Sequence, residues 1–190
     1  MRASVQRRMA EYLSGHRKSY PGILEWFNRV IVETESDRRG VIIEWINNEI
    51  AGVAITKRGE YAKLCHISVL PAARGHGVGS HLLKRALRDM WQRGAREVIV
   101  TTGEDVYRDH KRFFRRIGFK PDNWVVGRYR KSMAEIIWRM TLEQPPQNLD
   151  QVASLGIPEN LYSYSTSTTE GAQPSTRSPC SVTSNTALHW

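Results

Sequence analysis

Residues 67–80 read ISVLPAARGHGVGS, which is an apolar, β-branched run followed by a turn that contains three glycines. The run predicts a strand, and the apolar residues that recur every three or four positions after Ser80 predict a helix ending near Gln92. Glycines let the main chain approach a ligand closely, and the first turn of a helix offers unpaired N–H groups and the positive end of a dipole. The segment therefore predicts an anion-binding turn, with Arg74 as a full positive charge at its mouth.

Three other kinds of turn can be compared with this segment. A Rossmann dinucleotide site has G-x-G-x-x-G directly after its strand, whereas here Ser80 stands at the third glycine position and residues 71–74 separate strand and glycines. A P-loop needs a lysine before its Ser or Thr, and Gly79-Ser80-His81 has none. A purely structural turn into a core helix does not need three glycines in five positions.

The first 144 residues contain four predicted helices and six predicted strands. Helices are predicted at 4–13, 22–34, 80–92 and 106–117, and strands at 41–46, 50–56, 61–70, 97–102, 124–129 and 135–142. Asn47 and Asn48 predict a tight hairpin between the first two strands, because asparagine tolerates positive φ. This order is typical of an α/β (α+β) domain with a mixed central sheet flanked by helices.

The last part of the chain differs in composition and charge. Residues 145–190 are rich in Ser, Thr and Pro and keep no period, so we expect a disordered tail behind one domain at 1–144. The net charge is +9, and the tail holds one cation and three anions, so the first 144 residues carry +11. A domain this basic attracts polyanions such as nucleic acids and phosphorylated cofactors.

Several classes of protein are disfavoured by composition. Two cysteines are too few for a disulfide framework and lack metal-ligand spacing, so we expect no metal site. No apolar run approaches the ~18–20 residues that span a bilayer, and the first residues lack the apolar segment of a secretory signal. We therefore expect a cytoplasmic protein with no membrane contact.

Three motifs, in this order and spacing, resemble one known family. Val69-x-Pro71-x-x-Arg74-Gly75-x-Gly77-x-Gly79, followed by Leu82-Leu83, resembles the acyl-CoA signature of the GNAT superfamily of N-acyltransferases. The segment 113–119 resembles the family's second motif, an aromatic pair followed by Gly-Phe, and the hairpin 47–52 resembles the turn between its second and third strands. The resemblance covers about residues 20–142 and implies a GNAT-like sheet splayed between two parallel strands, here 61–70 and 97–102.

The resemblance implies acetyl-CoA as the acyl donor, bound between the splayed strands. The pantetheine arm would pair with the main chain near 67–69, and the pyrophosphate would lie on the N–H groups of 75–80. An N–H near Ser68 or Val69 would face the thioester oxygen and stabilise the tetrahedral intermediate. The implied cofactor-binding residues are Ile67, Ser68, Val69, Arg74, Gly75, His76, Gly77, Val78, Gly79 and Ser80.

The catalytic groups depart from the family pattern. In many relatives a tyrosine protonates the leaving thiolate, and here that position is Phe114, which has no proton to donate. His66 has the intrinsic pKa of a base, and Tyr107 lies where relatives often carry asparagine. Their alternative roles are a hydrogen-bonded core histidine and a packed aromatic.

The sequence thus predicts an N-acetyltransferase in which a primary amine attacks acetyl-CoA directly in a ternary complex, with His66 and Tyr107 as candidate catalytic residues. The alternative is a catalytically weak acyl-CoA-binding module. Five cations crowd the predicted helix 106–117, and they indicate RNA or DNA binding, with an acceptor on aminoacyl-tRNA, a modified base or a protein. These cations are Arg108, Lys111, Arg112, Arg115 and Arg116. Alternatively, these cations form an ordinary solvated helix face that supplies one cation for the 3′-phosphate of CoA. The sequence leaves the oligomeric state open, and a homodimer is one possibility.

Overall fold

A computed structural model describes residues 1–58, 61–127 and 133–143 of the chain. Its four helices are α1 (Ala3–Ser14), α2 (Ile23–Glu35), α3 (Val78–Gln92) and α4 (Tyr107–Ile117). Its six strands are β1 (Arg39–Ile46), β2 (Glu49–Lys57), β3 (Ala62–Val69), β4 (Glu97–Gly103), β5 (Lys120–Val126) and β6 (Ala134–Thr141). The predicted tail at 145–190 lies outside the described residues, so the domain boundary at 144 stays a prediction.

The strands form one sheet in the order β1-β2-β3-β4-β6-β5, in which β3 and β4 pair in parallel and the other neighbours are antiparallel. The predicted α/β (α+β) fold with a mixed sheet and flanking helices is confirmed. Asn47 and Asn48 adopt the expected positive φ in the first hairpin. The fifth strand begins at Lys120 rather than at 124, because Pro121 is tolerated on an edge strand. Residues 128 and 129 of that predicted strand lie outside the described residues.

The parallel pair opens into a gap after a short common segment. β3 and β4 pair at Ala62–Val98, Lys63–Ile99 and Leu64–Val100, and both strands continue beyond the last pair. The predicted splay is therefore confirmed, and one edge of the end of β3 faces an opening rather than a neighbouring strand.

Two apolar cores lie on opposite faces of the sheet. One lies beneath α3 and α4 and contains Trp138, Phe114 and Leu82, and the other lies beneath α1 and α2 and contains Phe27 and Met9. Helices of the described residues are too short or too polar to cross a bilayer.

A bulge in β3 decides which side chains face each core. The register shifts so that Thr56 pairs with Leu64 and Ile55 with His66, which leaves Cys65 as the extra residue. Leu64 and Ile67 therefore both pack on the α3 side, although they are three residues apart. His66 and Ser68 face α1 and α2 instead. Re-aiming side chains is the usual consequence of a β-bulge.

The start of α3 is tied to β1 by a buried carboxylate. Glu44 accepts a hydrogen bond from Arg85, and its Oε1 lies 3.1 Å from Nδ1 of His81. The N–H of His81 in turn donates to the carbonyl of Gly77 at 2.9 Å. Burial by itself would raise the pKa of Glu44, but the contacts with His81 and Arg85 outweigh burial and hold it below the ordinary 4.5. The carboxylate thus anchors the helix end that follows the glycine turn.

Replacing Glu44 by Gln should lower the free energy of unfolding by about 2 kcal/mol at neutral pH, because a charged hydrogen-bond acceptor is lost. A group with a lowered folded-state pKa stabilises the fold above its unfolded pKa, and this contribution is lost as pH falls through the folded value. The variant and the wild type should therefore converge below pH 4.5. Urea unfolding at several pH values measures this. Glu11→Gln, in the exposed pair with Arg7, should change little at any pH; an equal loss in both variants would contradict the anchoring role.

Candidate active site

The glycine turn lies at the open end of the gap between β3 and β4. It leads into α3, whose first turn has no side-chain cap. Gly75 and Gly77 have φ of +79° and +80°, a conformation that L side chains rarely adopt. Gly77 is the N-cap of α3 and no side chain hydrogen-bonds to the helix start. The first N–H groups of a helix have no partner within the helix, so those of Val78, Gly79 and Ser80 are available to an anion.

Two guanidinium groups flank this turn. The Nε of Arg74 donates to the carbonyl of Val69 at 3.1 Å, and Nη2 of Arg116 donates to Oγ of Ser80 at 3.0 Å. Nδ1 of His76 lies 2.8 Å from the carbonyl oxygen of Arg74 and fixes the path of the turn. A turn with free N–H groups and two adjacent cations is suited to a diphosphate.

The main chain of β3 presents alternate residues to the gap. The N–H of Leu70 donates to Ala51 of β2 at 2.8 Å. Because successive residues of a strand point their N–H groups to opposite edges, Ser68 also faces β2, while Ile67 and Val69 face the gap. This corrects the prediction for Ser68, whose N–H is directed at the neighbouring strand. The main chain of Ile67 and Val69 faces the gap, and their roles as an extended partner and an oxyanion donor stay predictions.

The side chains of His66 and Ser68 form a hydrogen-bonded group with α1. Nε2 of His66 lies 2.8 Å from Oγ of Ser68, and the hydroxyl of Tyr12 lies 3.0 Å from the same oxygen. The ring of His16 meets that of His66 edge-on with centroids 5.4 Å apart, and Trp26 covers it from α2 at 6.2 Å. This side of the gap therefore carries a small polar group walled by aromatic rings.

Burial determines the protonation states in this group. Burial, with a smaller effect of His16, lowers the pKa of His66 to about 3, so its imidazole is neutral at neutral pH. Burial and the charge of Arg74 also lower the pKa of His16. Burial raises the pKa of Tyr12, and the Ser68 hydrogen bond and Arg74 only partly offset this. His66 is thus a weak base, and Tyr12 keeps its hydroxyl proton at neutral pH.

Sequence reasoning missed Tyr12 and His16. Tyr12 belongs to the apolar stripe of α1, which is the ordinary pattern of a packed helix, and His16 lies in the turn after it. Nothing local distinguishes either residue from a structural one. Their contacts with β3 follow only from the tertiary structure, because the bulge in β3 directs Ser68 towards α1, 56 positions away in sequence from Tyr12.

The other candidate, Tyr107, lies on the opposite face of the sheet from His66. Its ring stacks on Trp138 with centroids 5.5 Å apart and contacts Trp124 at 5.2 Å. The structure therefore does not bring the two sequence candidates together, and Tyr107 has the contacts of a packed aromatic. Phe114 is 2% exposed and its ring lies among Phe119 and Trp138.

The cations of α4 share one face of the helix. At 100° per residue, Arg108, Arg112, Arg115 and Arg116 fall on the side away from Phe114 and the core, and Lys111 lies at the edge of this face. The five cations border an open surface depression of about 560 Å³. Among the ion pairs between described residues, none involves Arg108, Arg112 or Arg115.

Among all the described residues, no three His, Cys, Asp or Glu side chains are grouped as metal ligands.

The family model and the solved structures that match this chain indicate the same family. Residues 5–119 match the family model described as the acetyltransferase (GNAT) family. No curated protein matches the chain. A Desulfovibrio desulfuricans protein described as a GNAT-family acetyltransferase is 21% identical, with a TM-score of 0.60 over 72% of this chain and 90% of that one.

Two further solved structures share the fold. A GNAT acetyltransferase from Elizabethkingia anophelis, solved with acetyl-CoA bound, is 16% identical with a TM-score of 0.52, over 59% of this chain and 82% of that one. The ribosomal-protein-S18-alanine N-acetyltransferase of Escherichia coli is 19% identical with a TM-score of 0.53, over 64% and 80%. The splayed sheet, the uncapped glycine turn and the family match over most of the domain lead to one conclusion: this chain belongs to the GNAT acetyltransferase family.

Proposed function

We propose that the protein transfers an acetyl group from acetyl-CoA to a primary amine by direct attack within a ternary complex. The observation that carries this proposal is the uncapped start of α3, placed with Arg74 and Arg116 at the mouth of the gap between β3 and β4. The fit to a diphosphate rests on the chemistry of these groups, because backbone N–H groups and guanidinium ions are the usual ligands of phosphate oxygens.

The edge of β3 would hold the pantetheine arm. The carbonyl of Val69 faces the gap and accepts a hydrogen bond from Arg74. An amide that pairs with Val69 replaces this bond, which releases the guanidinium of Arg74 to contact a phosphate. Binding of the two parts of the donor is thereby coupled through one side chain.

The main chain of the same edge would assist the reaction. The amine nitrogen attacks the thioester carbon, its lone pair forms the new C–N bond, and the carbonyl oxygen becomes negative. An N–H of Ile67 or Val69 stabilises that oxygen, and the sulfur then leaves with the electrons of the C–S bond. The amine approaches from the side of α1 and α2, where His66, Ser68 and Tyr12 lie. Holding both reactants in this geometry supplies much of the rate enhancement.

Release of free thiol from acetyl-CoA tests the proposal directly. Panels of peptides with free N-termini, lysine peptides, aminoacyl-tRNA and polyamines should include an acceptor that accelerates thiol release, and mass spectrometry should find the acceptor heavier by one acetyl group. Tight CoA binding by calorimetry with no turnover across all panels would favour the alternative, an acyl-CoA-binding module. Failure to bind CoA would reject both.

The cationic face of α4 favours an acceptor that carries phosphates. Arg116 links this face to Ser80 of the glycine turn, so a polyanion lying along α4 would end beside the gap. A polycationic acceptor such as a polyamine would be repelled by the same charges. We therefore propose an amine on RNA or on a nucleic-acid-bound partner as the acceptor, with RNA or DNA binding through α4.

A further inference from the structure

The hydroxyl of Tyr12 stands at the end of a chain of three polar groups. Oγ of Ser68 lies 3.0 Å from the Tyr12 oxygen and 2.8 Å from Nε2 of His66. Each group in such a chain can donate one proton and accept another. The chain joins the half-buried ring of His66 on β3 to a residue of α1 that nothing in the family motifs marks.

The position of Arg74 indicates that the Tyr12 hydroxyl lies near the gap between β3 and β4. The guanidinium is held on the carbonyl of Val69, which faces the opening beside β3. The same guanidinium is close enough to influence the ionisation of both Tyr12 and His16. Ser68, which holds the Tyr12 hydroxyl, is the neighbour of Val69 in the strand. The hydroxyl therefore lies beside the stretch of β3 where the thioester is expected.

The usual source of a proton for the leaving group is missing. Phe114 has no hydroxyl, and its ring is enclosed in the aromatic cluster with Phe119 and Trp138. Tyr107 is stacked on Trp138 on the opposite face of the sheet. The Tyr12 phenol, in contrast, contacts the side chain of Ser68 in the stretch of β3 that borders the gap, and burial keeps its pKa above the ordinary value.

We propose that Tyr12 donates the proton that the departing CoA thiolate requires, with Ser68 positioning its hydroxyl and His66 relaying the replacement proton. This inference rests on the proposed acetyl transfer.

The three groups would move protons in one direction, from the attacking nitrogen to the departing sulfur. As the C–S bond breaks, its electron pair stays on sulfur, the Tyr12 O–H bond breaks and an S–H bond forms. The Tyr12 oxygen takes the proton of Ser68, and Ser68 takes the Nε2 proton of His66. Nδ1 of His66 accepts the proton that the amine nitrogen loses once it has attacked and become positively charged. One proton thus passes from nitrogen to sulfur, and His66 ends as its other neutral tautomer.

A binding comparison tests the contact between Tyr12 and sulfur without knowledge of the acceptor. Calorimetry is performed at pH about 8.5, near the ordinary pKa of a thiol, with CoA and with desulfo-CoA, in which hydrogen replaces the thiol. The wild type should prefer CoA by about tenfold, since a hydrogen bond to an ionised group is strong. In Tyr12→Phe this preference should fall to about one, while desulfo-CoA binds as tightly as it does to the wild type. Ser68→Ala should reduce the preference in part.

Matched variants separate the outcomes. Tyr61→Phe removes a hydroxyl from an exposed tyrosine next to the other end of β3 and should keep the wild-type preference. An unchanged preference in Tyr12→Phe would overturn the inference, and so would an equal loss for both ligands, which would make Tyr12 structural. If the wild type binds neither ligand, the proposed function fails instead. Thermal melting confirms that each variant is folded.

Discussion

Replacement of Gly77 by Asp is expected to weaken CoA binding by at least a hundredfold. Gly77 precedes the first turn of α3 with φ of +80°, so its side chain would stand beside the N–H groups proposed to bind the diphosphate. A carboxylate there occupies those donors and repels the phosphates. Two like charges about 4 Å apart near a protein surface cost about 4 kcal/mol, which is more than enough for this effect.

Gly94→Asp is the control for this substitution. Gly94 follows the C-terminus of the same helix, has φ of +89°, and has nothing within 4 Å of an added Cβ. The Gly94→Asp substitution introduces the same charge and a similar backbone strain of about 1–2 kcal/mol, but it lies far from the gap. Calorimetric titration with CoA should show near wild-type affinity for Gly94→Asp. Similar affinities for the two variants would remove the assignment of the glycine turn.

Replacing Arg112, Arg115 and Arg116 together by Gln is expected to weaken RNA binding by roughly tenfold to a hundredfold near physiological salt. Each phosphate contact that is lost reduces the slope of log affinity against log salt by about 0.7 for a single strand. The three residues lie on one helix face, and Arg112 and Arg115 have no ion partner among the described residues, so no bond within this part of the protein competes for them. Fluorescence anisotropy with a single-stranded RNA and with tRNA at several salt concentrations measures both effects.

A second triple variant controls for net charge. Arg7, Arg17 and Lys18 are exposed residues of α1 and the following turn, and their replacement by Gln removes the same three charges. RNA affinity should fall much less in this variant. If both triple variants lose the same RNA affinity, RNA is attracted by the net charge of the protein and not by the α4 face. If the α4 variant loses affinity for CoA while its RNA binding is unchanged, the face serves the 3′-phosphate of CoA and the nucleic-acid proposal is wrong.

The helices and the glycine turn were accessible from sequence because their signals are local. The helix predicted at 80–92 begins only two residues earlier, at Val78, since its apolar period and its glycine boundary lie within a few residues. The three glycines likewise predicted the turn whose positive φ values the structure contains. The edge strand begins four residues before its predicted start, because proline is unusual inside a strand and only the pairing of Lys120 and Pro121 with β6 extends the strand over them.

The local sequence by itself determined that a glycine turn opens a helix, because backbone conformation there depends on glycines and their immediate neighbours. Only the tertiary structure decided which side chains meet at the gap. A one-residue bulge at Cys65 directs Ser68 to Tyr12 on α1, and Tyr107 and His66 lie on opposite faces of the sheet. Contacts between residues far apart in sequence depend on strand register and helix packing, and no local pattern specifies them.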